Sequence, residues 1–151
     1  MPKYKTHLCG GFITFCVILF VLIQLKISSN LLVSFIYLAS CLLGSLFPDI
    51  DTKSRIQKIV YYPLFVIIIY AIFVQKWALA SLISVLAFIP VLANHRRLTH
   101  KRWFVITIPL SIPILIYHFN QQFLIESFIS YLFFVFGAIS HLLLDFGIKR
   151  I

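Results

Sequence analysis

Long apolar runs alternate with short polar breaks along this chain, and run length carries the first signal. A helix that crosses the hydrocarbon of a bilayer needs about 20 mostly apolar residues, with roughly 17 as the lower bound. Six runs come near that length, at residues 8–25, 31–48, 59–74, 77–93, 103–119 and 128–146. The third is the weakest, with Tyr61 and Tyr62 placed to act as interfacial anchors. The breaks at 26–30, 49–58, 75–76, 94–102 and 120–127 are short and polar. The pattern predicts an all-α polytopic bundle of about six helices, forming a single membrane domain over residues 1–151. Pro90, Pro109 and Pro113 lie inside runs. Neighbouring helices can satisfy the backbone groups that proline frees, so kinks are expected rather than breaks. Pro48 biases Phe47 toward an extended backbone, which should end the second helix before Asp49.

Composition agrees with the pattern. The chain is 62% hydrophobic and 11% charged, where a soluble domain averages near half and a quarter. An ordinary cytosolic globule, a disordered tail and a disulfide-rich module are thereby excluded. Lys3 and Lys5 give a positive start, but no small-residue cleavage site follows the first run, so that segment is expected to stay in the protein. Cys9, Cys16 and Cys41 form no CxxC pair and read as small buried apolar side chains.

Charge sets the expected topology. With six crossings, the N-terminal side receives Lys3, Lys5, Lys53, Arg55, Lys58, Arg96, Arg97, Lys101, Arg102, Lys149 and Arg150. The opposite side keeps Lys26 and Lys76. By the positive-inside rule the N-terminal side is cytoplasmic, as are both termini.

The same sorting gathers the residues capable of chemistry. His7, Asp49, Asp51, His95, His100, His141 and Asp145 all fall on the cytoplasmic side, leaving His118 and Glu126 across the bilayer. Ionisable groups beside hydrocarbon are costly and usually pair, bind ions or line a polar cavity. His141 and Asp145 are four apart on a helix and share a face. They either ligate one metal, or Asp145 orients the imidazole, or the two merely tie helices together. Asp49 and Asp51, two apart in an extended segment, project to one side and repel unless a cation lies between them. The alternative is an N-cap, with Lys53 and Arg55 as partners. His95 and His100 need a loop or helix end to converge, and Arg96 and Arg97 between them suit phosphate or carboxylate. Taken by itself, that stretch reads better as a basic juxtamembrane loop gripping anionic lipid. His7 is a lone interfacial histidine, the weakest of the set.

Taken together, Thr6-His7 with Gly10 and Gly11, Gly44 through Asp51 with Ser54, His95-Arg96 with Thr99-His100, and Ser140 to Asp145 resemble the YdjM-like family. These inner-membrane proteins of bacteria are described as membrane-bound metal-dependent hydrolases, similar in ligand pattern to zinc-dependent phospholipase C and P1 nuclease. The resemblance implies His7, Asp49, Asp51, His95, His100, His141 and Asp145 as metal ligands, with Asp49, Asp51, His141 and Asp145 as the catalytic set. The chain departs from the family pattern at Arg97 and Lys101, where glycine and serine are usual.

A mixed imidazole and carboxylate set suits zinc, with manganese, iron or nickel as alternatives. Such an ion lowers the pKa of water toward about 7, and Arg96 and Arg97 would neutralise charge on a phosphoryl group. The expected function is hydrolysis of a lipid-linked or membrane-proximal phosphoester at the cytoplasmic face. The alternatives are a non-enzymatic membrane protein with a structural or regulatory metal site, or an electrostatic binder of anionic lipid or nucleic acid. The expected partners are membrane lipids and a phosphoester substrate, with no specific nucleic acid.

Overall fold

A computed structural model describes residues 4–27, 30–50, 55–77, 80–81, 83–85, 87, 102–119 and 121–147. All the secondary structure among them is helical. In order the elements are α1 (Tyr4–Gln24), α2 (Leu31–Leu46), a 3-10 turn (Phe47–Asp49) and α3 (Arg55–Phe73). Next comes α4, whose described helical residues are 77, 80, 81, 83–85 and 87. The chain closes with α5 (Arg102–Phe119), a 3-10 turn (Gln121–Phe123) and α6 (Leu124–Phe146).

Among the described residues three segments are long and apolar enough to cross a membrane, Tyr4–Gln24, Leu31–Asp49 and Gln121–Asp145, while Gln57–Phe73 and Trp103–His118 are shorter apolar helices. The helices outrun the apolar runs by four residues at three N-terminal ends, α3 starting at Arg55 rather than residue 59. α1 starts at Tyr4 rather than residue 8, and α6 at Leu124 rather than residue 128. Hydropathy marks what lies in lipid, whereas backbone hydrogen bonding continues a helix into polar residues. Glu126 in the first turn of α6 is favourable there, facing the positive end of the helix dipole.

The chain divides into two compact units, Met1–Pro48 with His100–Ile151, and Asp49–Thr99. In the first unit α6 packs most extensively on α2, α1 lies against both, and α5 packs on α6. Asn30 starts α2 by accepting the Val33 N–H at 2.8 Å. Phe15, Tyr37, Cys41 and Phe133 form a buried cluster, with the Tyr37 and Phe133 rings stacked at 5.0 Å. Large apolar side chains such as Phe12, Val17 and Phe20 stay exposed on α1, as lipid-facing residues do. Cys41 is fully buried, but Cys9 and Cys16 are exposed on α1, so the expectation of three buried thiols holds for one of them. α5 runs unbroken through the buried Pro109 and Pro113; Pro90 lies outside the described residues. In the second unit the Tyr61 hydroxyl donates to the Ala87 carbonyl at 2.7 Å, binding α3 to α4.

Because lipid is as apolar as leucine, helices in membranes associate through close packing of small residues rather than through hydrophobic expulsion from water. The α1/α2/α6 seam is built this way. A Cβ on Gly44 would collide with the Phe134 carbonyl, and one on Gly137 with the Cys41 carbonyl. Across the other seam the Cys41 thiol donates to the Gly11 carbonyl at 3.2 Å.

One sequence expectation is corrected here. Phe47 is not extended but helical, at φ −58° and ψ −40°, and leads into the 3-10 turn. Pro48 has no N–H to offer, and the Phe47 N–H reaches Gly44 O instead. The missing donor is absorbed by tightening the last turn, not by straightening the chain. The α-helix still stops before Asp49.

Candidate metal centre

Three helix ends meet at one end of the first unit. His7 lies in the second turn of α1, where His7, Gly11 and Phe15 repeat every four residues as the buried stripe of that helix. His141 and Asp145 sit one turn apart near the C-terminus of α6. Ser45 belongs to the last turn of α2. His7 is 1% exposed, His141 0% and the Asp145 side chain 6%.

Asp145 divides its oxygens between the two histidines. Oδ1 is 3.5 Å from His7 Nε2, and Oδ2 is 3.3 Å from His141 Nε2. The imidazole rings stack with centroids 3.8 Å apart and an 18° interplanar angle. One nitrogen from each ring and a carboxylate oxygen all lie within 4.8 Å of one another. An ion with ligands at about 2.0–2.2 Å in a tetrahedron holds neighbouring ligand atoms about 3.4 Å apart. The two observed nitrogen–oxygen separations are each of that length, one to each carboxylate oxygen. They are longer than the roughly 2.7–2.9 Å of a charge-assisted N–H···O bond.

The tautomer of His141 follows from its other neighbour. Its Nδ1 lies 2.7 Å from the Ser45 carbonyl oxygen, which can only accept, so Nδ1 carries the hydrogen. In the neutral ring Nε2 is then a lone pair aimed at a carboxylate. That arrangement is repulsive without a cation between them and favourable with one. Metal-ligating histidines commonly donate their second ring N–H to a backbone carbonyl in this manner.

Electrostatics points the same way. The last carbonyls of a helix carry partial negative charge, equivalent to about half an electron at the C-terminus. α2 and α6 both end here, and α6 adds a carboxylate. An anionic side chain at this end of a helix is disfavoured unless a cation neutralises it. Two imidazoles and one carboxylate form a donor set that fits zinc or a neighbouring first-row metal.

Of the seven ligands expected from the sequence, the structure brings together His7, His141 and Asp145. Asp49 closes the 3-10 turn after α2. Asp51, His95, His100 and the anion-binding candidates Arg96 and Arg97 lie outside the described residues. Glu126 stands 19 residues before Asp145 on the unbroken α6, a rise of about 28 Å, which places it at the far end of the helix. His118 closes the last turn of α5, beside the short connection into α6, and shares that far end. Sequence reasoning missed Ser45, because a backbone carbonyl leaves no mark in residue identity. It ranked His7 last, although the glycine four residues on was the available sign of a close helix contact.

The fold and the cluster define a helical membrane protein with a buried His-His-Asp centre able to hold a metal ion. The chain belongs to the YdjM inner membrane protein family, whose family model matches residues 1–150. No curated protein and no solved structure matches it.

Proposed function

We propose that this protein is a membrane-bound metal-dependent hydrolase that cleaves a phosphoester presented at the headgroup level of the cytoplasmic leaflet. The observation that carries the reading is the convergence of His7, His141 and Asp145, whose ligand atoms lie within 4.8 Å of one another, with one carboxylate oxygen near each imidazole at 3.5 and 3.3 Å. Zinc is the preferred ion for this donor set. When bound, it would act as a Lewis acid and lower the pKa of water toward about 7. The resemblance to the family adds Asp49, Asp51, His95 and His100 as further candidate ligands, and Arg96 and Arg97 as candidate partners of phosphoryl oxygens.

Depth supports a lipid-borne substrate. His7 is three residues from the start of α1, and His141 five from the end of α6. At 1.5 Å per residue, both lie about 5–8 Å inside the helix ends, near the boundary between headgroup and hydrocarbon. Topology supports the cytoplasmic assignment. The start of α1 and the ends of α2 and α6 lie at one end of the first unit, an arrangement consistent with an even number of crossings from α3 to α6. Six crossings meet that condition and put eleven of thirteen cations on the same side.

The burial of all three ligands favours one competing reading, a structural metal that clasps α1 to α6. Metal analysis and phosphate release from phosphatidic acid, both with the full chain in lipid nanodiscs, separate the two. Stoichiometric transition metal and a hydrolysis lost to chelation and restored by zinc are expected, with both lost in His141→Ala. Bound metal without hydrolysis supports the clasp, and no metal in the wild type ends both readings.

A further inference from the structure

We infer that Gly11 and Ser45 form a positioning pair that fixes which nitrogen of His141 faces the ion. The inference rests on the metal-site reading above and extends it to residues that touch no metal. The Ser45 carbonyl reaches the site, accepting from His141 Nδ1 at 2.7 Å. It is able to do so because it is one of the last four carbonyls of α2, which have no partner within their own helix. Where that oxygen lies is set by how closely α2 approaches α1, and at this level the approach is decided by one hydrogen atom. A Cβ built on Gly11 would stand 2.6 Å from Ser45 Oγ and 2.8 Å from Ser45 Cβ. The hydroxyl can rotate away, but the Cβ is fixed to the backbone, so α2 must move. With the Ser45 side chain gone, the next atom is the Cys41 carbonyl oxygen at 3.5 Å, an ordinary contact.

The Ser45 side chain itself donates to Leu42 O at 2.8 Å, within its own helix and away from the imidazole. Side chain and carbonyl therefore have separable roles. Gly11 permits the approach, the carbonyl holds Nδ1–H, and Nε2 is left to the ion. Neither residue contacts the proposed substrate; both act through His141.

The separation of roles gives a four-cornered test by zinc titration of the full chain in nanodiscs. Loss of an outer partner of a metal ligand typically weakens metal binding by about 10–100-fold, and that loss is expected for Gly11→Ala, whereas Ser45→Gly should stay within about threefold of wild type. Gly11→Ala combined with Ser45→Gly should recover most of the lost affinity, because the colliding atoms are gone. A folded Gly11→Ala chain that binds zinc like wild type, or a double variant that fails to recover, overturns the inference. Should Gly11→Ala not fold, nitrogen-15 spectra of histidine-labelled, zinc-loaded wild type decide the matter. Nε2 bound to zinc with hydrogen on Nδ1 of His141 is the expected signature, and zinc on Nδ1 overturns the pair. A wild-type chain that takes up no zinc removes the metal-site reading and this inference together. The variant outcomes bear on the positioning pair alone.

Discussion

The two ends of α6 each carry a carboxylate, and the helix treats them oppositely. Glu126 lies in the first turn, where free N–H groups give the helix its positive pole and an acidic side chain is stabilised by its surroundings. Asp145 lies in the last turn, at the negative pole, largely buried and beside a second helix that also ends there. The helix dipole offsets the burial of the first, whose Oε2 has no hydrogen-bond partner among the described residues. The second faces two imidazoles whose nitrogens turn toward it, an arrangement able to share a cation. An acidic residue near lipid is therefore informative according to which end of its helix it occupies.

Charge removal at the two ends should break the comparison most sharply. Asp145→Asn is expected to abolish zinc binding, exceeding the roughly 100-fold loss typical of outer partners. Glu126→Gln should leave the zinc isotherm unchanged, and titration of both variants in nanodiscs checks the pair. Next in size is the seam that brings the ends of α2 and α6 together. Gly137→Ala places a methyl group against the Cys41 carbonyl, and overpacking of this kind costs about 1–3 kcal/mol. Thermal or denaturant unfolding in detergent should show that loss, with weakened zinc binding alongside because His141 lies one turn further along α6. The smallest effect belongs to the far end. Glu126→Gln removes one favourable charge from a helix N-terminus, worth about 0.3–1 kcal/mol, and should lower unfolding stability by that amount in low salt and less in high salt.

Different parts of the site were legible to different degrees. His141 and Asp145 could be read directly, because a spacing of four on an apolar helix leaves two polar side chains facing the same way. His7 was undervalued. It precedes the first apolar run, and its helical register appears only once α1 is seen to begin at Tyr4. The expectation for Phe47 erred because the rule for residues before proline describes an average, whereas here a 3-10 turn could supply the Gly44 carbonyl with another donor. Cys9 and Cys16 were misjudged because burial in lipid and burial in protein look alike in a hydropathy profile.

By itself the sequence determined the solvent and the secondary structure. Apolar runs of membrane length leave the backbone no partner but itself, and that forces helices. It also determined which chemical groups were available near the helix ends. Which of them meet was decided by tertiary structure, since His7 and His141 are 134 positions apart and nothing local links them. Glycines at 11, 44 and 137 allow three backbones to come within contact of one another, and that approach turns two histidines, an aspartate and a helix-end carbonyl into one centre.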